Sequence, residues 1–134
     1  MGMVTVSNFV RRLYQLKEGE DGADPVAQAL QEGWVAAEDT YDAERSLDRQ
    51  TAARIVHGYI RIVQGAEDLS DITAASFLRD LYDCRLCVNH IAQVCLRGIM
   101  VARKIPGISD RGIFIFDHRA EVSDEEAEEI ISRL

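Results

Sequence analysis

The sequence predicts an all-α domain of repeated helix-loop-helix units around a central bundle of three equivalent helices. Three observations predict it. Within residues 47–63, LDRQTAARIVHGYIRIV, the residues Ala52, Ile55, Val56, Tyr59, Ile60 and Val63 recur at spacings of three and four. That period lays one apolar stripe along a helix. The same opening then occurs in three places, an aliphatic residue followed by a capping residue: Val4-Thr5, Leu47-Asp48 and Val122-Ser123. Self-similarity of this kind marks supersecondary units that share a core. Finally, two shorter helical stretches end in glycine followed by an apolar residue, Gly33-Trp34 and Gly98-Ile99.

Each element has a local reason. Thr5 caps a first helix that reaches Leu16. Residues 17–22 are a polar, glycine-containing loop. Asp24-Pro25 opens a short helix, because proline at the first helical position gives up an N–H that has no partner there anyway. Gly33 ends it in a left-handed cap, and Trp34-Val35 is expected to bury. Residues 36–46 are a polar loop containing Tyr41. The central helix starts at the Asp48 cap, with Leu47 stapling back onto its first turns, and runs to about Gln64. Arg49, Arg54 and Arg61 lie mostly off its stripe.

Asp71 begins a further predicted helix with Phe77, Leu78, Leu81 and Tyr82 as its stripe. Residues 84–89 read equally as helix or break, and residues 90–97 as helix. Pro106-Gly107 and Asp110-Arg111-Gly112 are turns. The run Ile113-Phe114-Ile115-Phe116 is apolar and too brief to predict a sheet. The last helix opens on a capping box, Ser123 with Glu126 reaching back to it.

Composition narrows the function. A chain of 134 residues, 47% apolar, suits one domain with a modest core. No stretch is long and apolar enough to span a bilayer, so membrane insertion is not expected. No signal peptide is recognisable in the chain. The net charge of −8 argues against nucleic-acid binding, which needs a basic stripe. The acidic runs at 18–24, 38–44 and 124–129 read as solvated loops and helix starts.

Three cysteines exclude a complete disulfide framework within one chain. Cys84-x-x-Cys87, with His90 and Cys95, admits a metal reading and a redox reading. On a continuous helix Cys84 and Cys95 would stand about 16 Å apart, too far to share an ion. Cys84, Cys87 and His90 could share one only if the chain breaks there. Buried thiols are the preferred reading. No nucleophile elbow, phosphate loop or dinucleotide fingerprint is present, and no cofactor or catalysis is expected.

The repeated openings carry a family resemblance. The chain resembles the S-layer homology module of bacterial cell-surface proteins. That module has a helix ending in Gly-Ile, a Gly-x-Phe segment, and a second helix opened by a motif close to Ile-Thr-Arg-Ala-Glu. Here Leu47-Asp48-Arg49-Gln50-Thr51 keeps the arginine. Val122-Ser123-Asp124-Glu125-Glu126 keeps the glutamate but has Asp124 for the arginine. Val4-Thr5-Val6 keeps the threonine and has Val6 there. Asp71-Ile72, Gly98-Ile99 and Gly112-Ile113-Phe114 resemble the module's remaining motifs.

The resemblance implies a single domain over 1–134. Residues 1–17 would close a partial unit, 24–64 form one unit and 69–134 another. It implies a non-catalytic module for cell-surface or cell-wall attachment, through an anionic, pyruvylated cell-wall polysaccharide. Arg49 would be the surviving anion contact, with Trp34 as a sugar-stacking candidate. A guanidinium beside the free N–H groups of a helix start would suit a carboxylate. Asp124 would repel one. The alternative is a helical protein-interaction domain without carbohydrate binding. The cell surface is the expected location if the chain belongs to an exported precursor; the cytoplasm stays open otherwise.

Overall fold

The caps predicted at the three repeated openings form in the computed structural model, which describes residues 4–20, 22–105 and 113–134. Thr5 Oγ1 accepts from Asn8 N, Asp48 Oδ1 from Thr51 N, and Ser123 Oγ from Glu126 N, at 3.1, 2.7 and 3.1 Å. In order, the elements are α1 (Val6–Glu18), α2 (Pro25–Glu32), α3 (Ala37–Thr40) and α4 (Arg49–Ile62). Three 3₁₀ turns follow (Thr73–Phe77, Leu81–Asp83, Arg85–Cys87), then α5 (Val88–Leu96), β1 (Arg103–Ile105), β2 (Ile113–Ile115) and α6 (Asp124–Ser132).

The three aliphatic residues of the openings hydrogen-bond one another in a closed ring. Leu47 N donates to Val4 O at 2.7 Å, Val122 N to Leu47 O at 2.8 Å, and Val4 N to Val122 O at 3.3 Å. Their side chains are buried together. The chain entering one long helix also caps the previous one. Val6 N and Ser7 N, at the start of α1, donate to Arg45 O and Ala43 O. Arg49 N and Gln50 N, at the start of α4, donate to Ala120 O and His118 O. The orphan N–H groups of these helix starts are thereby satisfied inside the protein.

The all-α expectation is corrected. β1 and β2 pair antiparallel, with Arg103 opposite Ile115 and Ile105 opposite Ile113, and Leu78 bridges to Phe114. The β-branched and aromatic run 113–116 is extended because it has a partner strand, which its own length did not reveal. The central three-helix bundle is corrected too. α1 touches both α4 and α6, but α4 packs chiefly on α5, and α1 on α2. The stripes of the equivalent helices share one core with residues of α2 and α5, so the three do not form a bundle of their own.

The helix predicted from Asp71 is replaced by 3₁₀ turns. Asp71 Oδ1 caps Thr73 N at 3.0 Å, but Arg79 N donates to Phe114 O at 2.8 Å. The Asp80 carboxylate accepts from Phe116 N and Asp117 N, each at 2.7 Å. These links to the strand hold the segment off a regular helix and leave Phe77 and Tyr82 exposed. The predicted turns at 106–107 and 110–112, and the glycine of the Gly-x-Phe motif, lie outside the described residues.

α4 is the most enclosed element, with Ala52, Ile55, Val56, Tyr59 and Ile60 buried as predicted and Thr51, Ala53 and His57 buried as well. Gly58 shows how closely it is packed: a Cβ there would lie 2.3 Å from the Trp34 carbonyl oxygen. The two glycine ends form alike. Gly33 and Gly98 have φ of 90° and 73°, and Trp34 N and Ile99 N reach back to Ala29 O and Val94 O. Among the described residues no helix is long and apolar enough to cross a membrane.

Candidate functional site

Arg49 floors a groove of about 290 Å³, lined also by Val101, Ala102, Arg103, Ser123, Glu125, Glu126 and Glu129. Its side chain is only 2% exposed. Nε donates to Phe116 O at 2.7 Å and one terminal nitrogen to Val101 O at 2.6 Å; the other pairs with Glu126. The guanidinium lies over the Phe116 ring, 4.7 Å from its centroid. Burial lowers its pKa from the ordinary arginine range, against the pull of Glu126. Every arm of the fork is therefore engaged within the chain. The helix-start N–H groups that were to join it in holding a carboxylate are taken by Ala120 O, His118 O and Asp48.

Glu126 does not close the predicted capping box. Its carboxylate turns to Arg49 and, at 3.3 Å, to Arg103. A buried cation is a stronger demand on it than a backbone N–H. Asp124, at the repeat position of Arg49, pairs with Arg12 and ties α6 to α1. Trp34 is 2% exposed and packs edge-on to Tyr59, with its Nε1–H donating to Glu32 at 3.0 Å. The structure thus places Trp34 in the core, away from Arg49.

One turn and a half along α4, a second polar cluster was not foreseen. Arg54, Asp39, His57, His90 and Arg61 line a pocket of about 220 Å³. Arg54 grips the buried Asp39 with Nε at 3.2 Å and a terminal nitrogen at 2.5 Å, and its other terminal nitrogen stands 3.3 Å from Cys87 Sγ. His57 Nε2 lies 2.6 Å from Asp68 Oδ1, and His57 Nδ1 lies 2.8 Å from His90 Nδ1. The carboxylate accepts, so the network assigns the His57 proton to Nε2 and makes its Nδ1 the acceptor of His90 Nδ1–H. Burial, with His57 and Arg54 nearby, pushes the His90 pKa down to about 4. Burial alone would raise the Asp68 carboxyl, but hydrogen bonds from His57 and Asn89 outweigh it and hold the pKa low.

Cys84 and Cys87 are joined as a disulfide, and Cys95 is free. The preferred reading of buried thiols is corrected for that pair. With both sulfurs bonded to each other, Cys84, Cys87 and His90 do not form a metal-ligand set. Burial raises the Cys95 thiol to about 11. A third cluster, Asp80, Asp83 and His118, brings potential ligand atoms within 4.8 Å of one another. Two of its three members are engaged locally. Asp80 holds the backbone of Phe116 and Asp117, and His118 Nε2 lies 2.7 Å from Asp80 O.

Compared with family models, characterised proteins and solved structures, the chain matches none. His90 was singled out only as a partner of the cysteines, and its grouping with His57 and Asp68 was missed because the three share no spacing; they meet only in the tertiary structure. One signal was available. Arg54 and His57 occupy i and i+3 on α4, a polar row beside the stripe.

Proposed function

We propose that the chain is a non-catalytic attachment module that works as S-layer homology modules do. The observation that supports this is the backbone ring joining Val4, Leu47 and Val122. It relates the three repeated openings as a pseudo-threefold assembly of such modules would. In this reading Arg49 is spent on Phe116 O, Val101 O and Glu126, and the cation offered to an anionic wall polysaccharide is Arg103, whose side chain is 43% exposed at the same groove and would exchange its pairing with Asp117 and Glu126 for the ligand. The test is a pull-down of the folded protein on pyruvylated cell-wall polysaccharide, with Arg103→Ala beside wild type. Retention that Arg103→Ala reduces supports attachment through this groove. Absence of retention by wild type with its helical circular dichroism intact overturns it.

A second reading, a protein-interaction domain without sugar binding, is favoured by two observations. The groove carries three carboxylates, Glu125, Glu126 and Glu129, against two arginines. The 3₁₀ segment exposes large apolar side chains, with Leu86 89%, Tyr82 67% and Phe77 50% accessible. Phe77 meets Phe114 edge-on at 5.8 Å.

A further inference from the structure

A disulfide between residues three apart closes a very short ring. Cross-links of short loops remove little entropy from the unfolded chain, so stabilisation alone does not account for this one. Two features of its surroundings, a nearby cation and a helix start, favour an ionised sulfur at Cys87 against the burial of that residue. Cys87 is the residue from which α5 springs, and it is fully buried, whereas Cys84 is half-buried. The Arg54 guanidinium stands 3.3 Å from Cys87 Sγ. Arg54 is itself fixed by two hydrogen bonds to Asp39, which is 2% exposed. A cation and a helix N-terminus both stabilise a thiolate, and a better-stabilised thiolate leaves faster.

We propose that Cys84 and Cys87 form a reversible thiol–disulfide exchange site that takes a dithiol as its reductant. A thiolate of the dithiol attacks Cys84 Sγ, the accessible sulfur. The S–S bond breaks, and its electron pair goes to Cys87 Sγ, which leaves as a thiolate against Arg54. The second thiol of the dithiol loses its proton, attacks the mixed disulfide and expels Cys84. The dithiol is oxidised to a disulfide and the protein gains two electrons. Of the two protons released, Cys84 takes one and water the other, while Cys87 stays ionised. Because Arg54 also lines the pocket with His57 and His90, the new thiolate draws on the charge that faces that pocket.

The experiment follows the full chain in mixtures of reduced and oxidised dithiothreitol, with acid quench, alkylation and mass spectrometry. Trypsin cuts after Arg85, between the two cysteines, so their labels are read separately. Thiolate absorbance of the reduced protein is then followed against pH. The expected result is full reduction, re-formation of the bond in oxidised dithiothreitol, and one thiol ionising at least tenfold more readily than an ordinary cysteine of pKa about 8.5. Cys95 ionises near 11 and stays out of that window. Arg54→Gln is expected to move the ionisation up by about one pH unit or more, and Arg54→Lys to keep it low. A reduced wild type with no thiol ionising below the ordinary cysteine value overturns the proposal, whether or not the variants fold. A bond that does not re-form overturns it as well.

Discussion

Arg49 and Arg54 lie on one helix and both pair with a carboxylate, but they are held in opposite ways. Arg49 is closed in on every side, and two of its three hydrogen-bonding arms end on backbone carbonyls, Phe116 O and Val101 O. Its partner Glu126 has a second cation in Arg103. Arg54 is the more exposed cation, at 24%, and its partner Asp39 is the buried one, at 2%. Arg49 therefore acts as a bracket that needs a planar fork, whereas Arg54 supplies a charge that Asp39 requires and Cys87 shares. A charged residue placed by a motif is not thereby a ligand contact; what decides is whether its donors remain free.

The largest expected effect tests the bracket. Arg49→Lys keeps the charge but cannot reach three acceptors in three directions, which leaves buried carbonyls without donors. A loss of about 2–4 kcal/mol in denaturant unfolding is expected; a loss below about 0.5 kcal/mol, the ordinary surface range, would show that Arg49 is not structural. Next comes Gly58→Ala, on the pocket side of α4. Alanine is the better helix former by about 1 kcal/mol, yet its Cβ would meet the Trp34 carbonyl at 2.3 Å. A net loss of about 1–3 kcal/mol is expected, and a gain in melting temperature would contradict the packing.

The third effect is pH-dependent. His90 is depressed in the folded state to about 4 from 6.5, so on acidification the unfolded chain takes its proton first. Stability is unaffected by this group above pH 6.5, falls as the pH drops below 6.5, and stops falling near 4. Melting temperatures of His90→Gln should lose that part of the slope; an unchanged slope would place it elsewhere. The smallest effect is the counterpart of the first. Arg54→Lys still neutralises Asp39, and a cost within about 1 kcal/mol is expected. A cost equal to that of Arg49→Lys would erase the distinction between the two arginines.

What was readable in advance was local. Thr5, Asp48 and Ser123 cap their own third residue, and Gly33 and Gly98 end their helices by a backbone angle that only neighbouring residues constrain. The α4 stripe followed from period alone, since Ile55, Val56, Tyr59 and Ile60 must share one side of any helix.

What the tertiary structure decided involves pairs distant in the chain. β2 is a strand because β1 lies beside it, and β1, Arg-Lys-Ile, carries no apolar period of its own. The 3₁₀ turns exist because Asp80 and Arg79 hold the backbone of residues 114–117, which overrides the helical spacing of Leu78 and Leu81. Arg49 buries because carbonyls from residues 101 and 116 close around it, and His57 meets His90 across 33 positions. Sequence by itself determined the ends of the helices marked by Thr5, Gly33, Asp48, Gly98 and Ser123, because caps and glycine turns act over a few bonds, whereas α3 and the 3₁₀ turns escaped it. Which polar groups are free to bind was set only by the fold, since a donor is spent or available according to what packs against it.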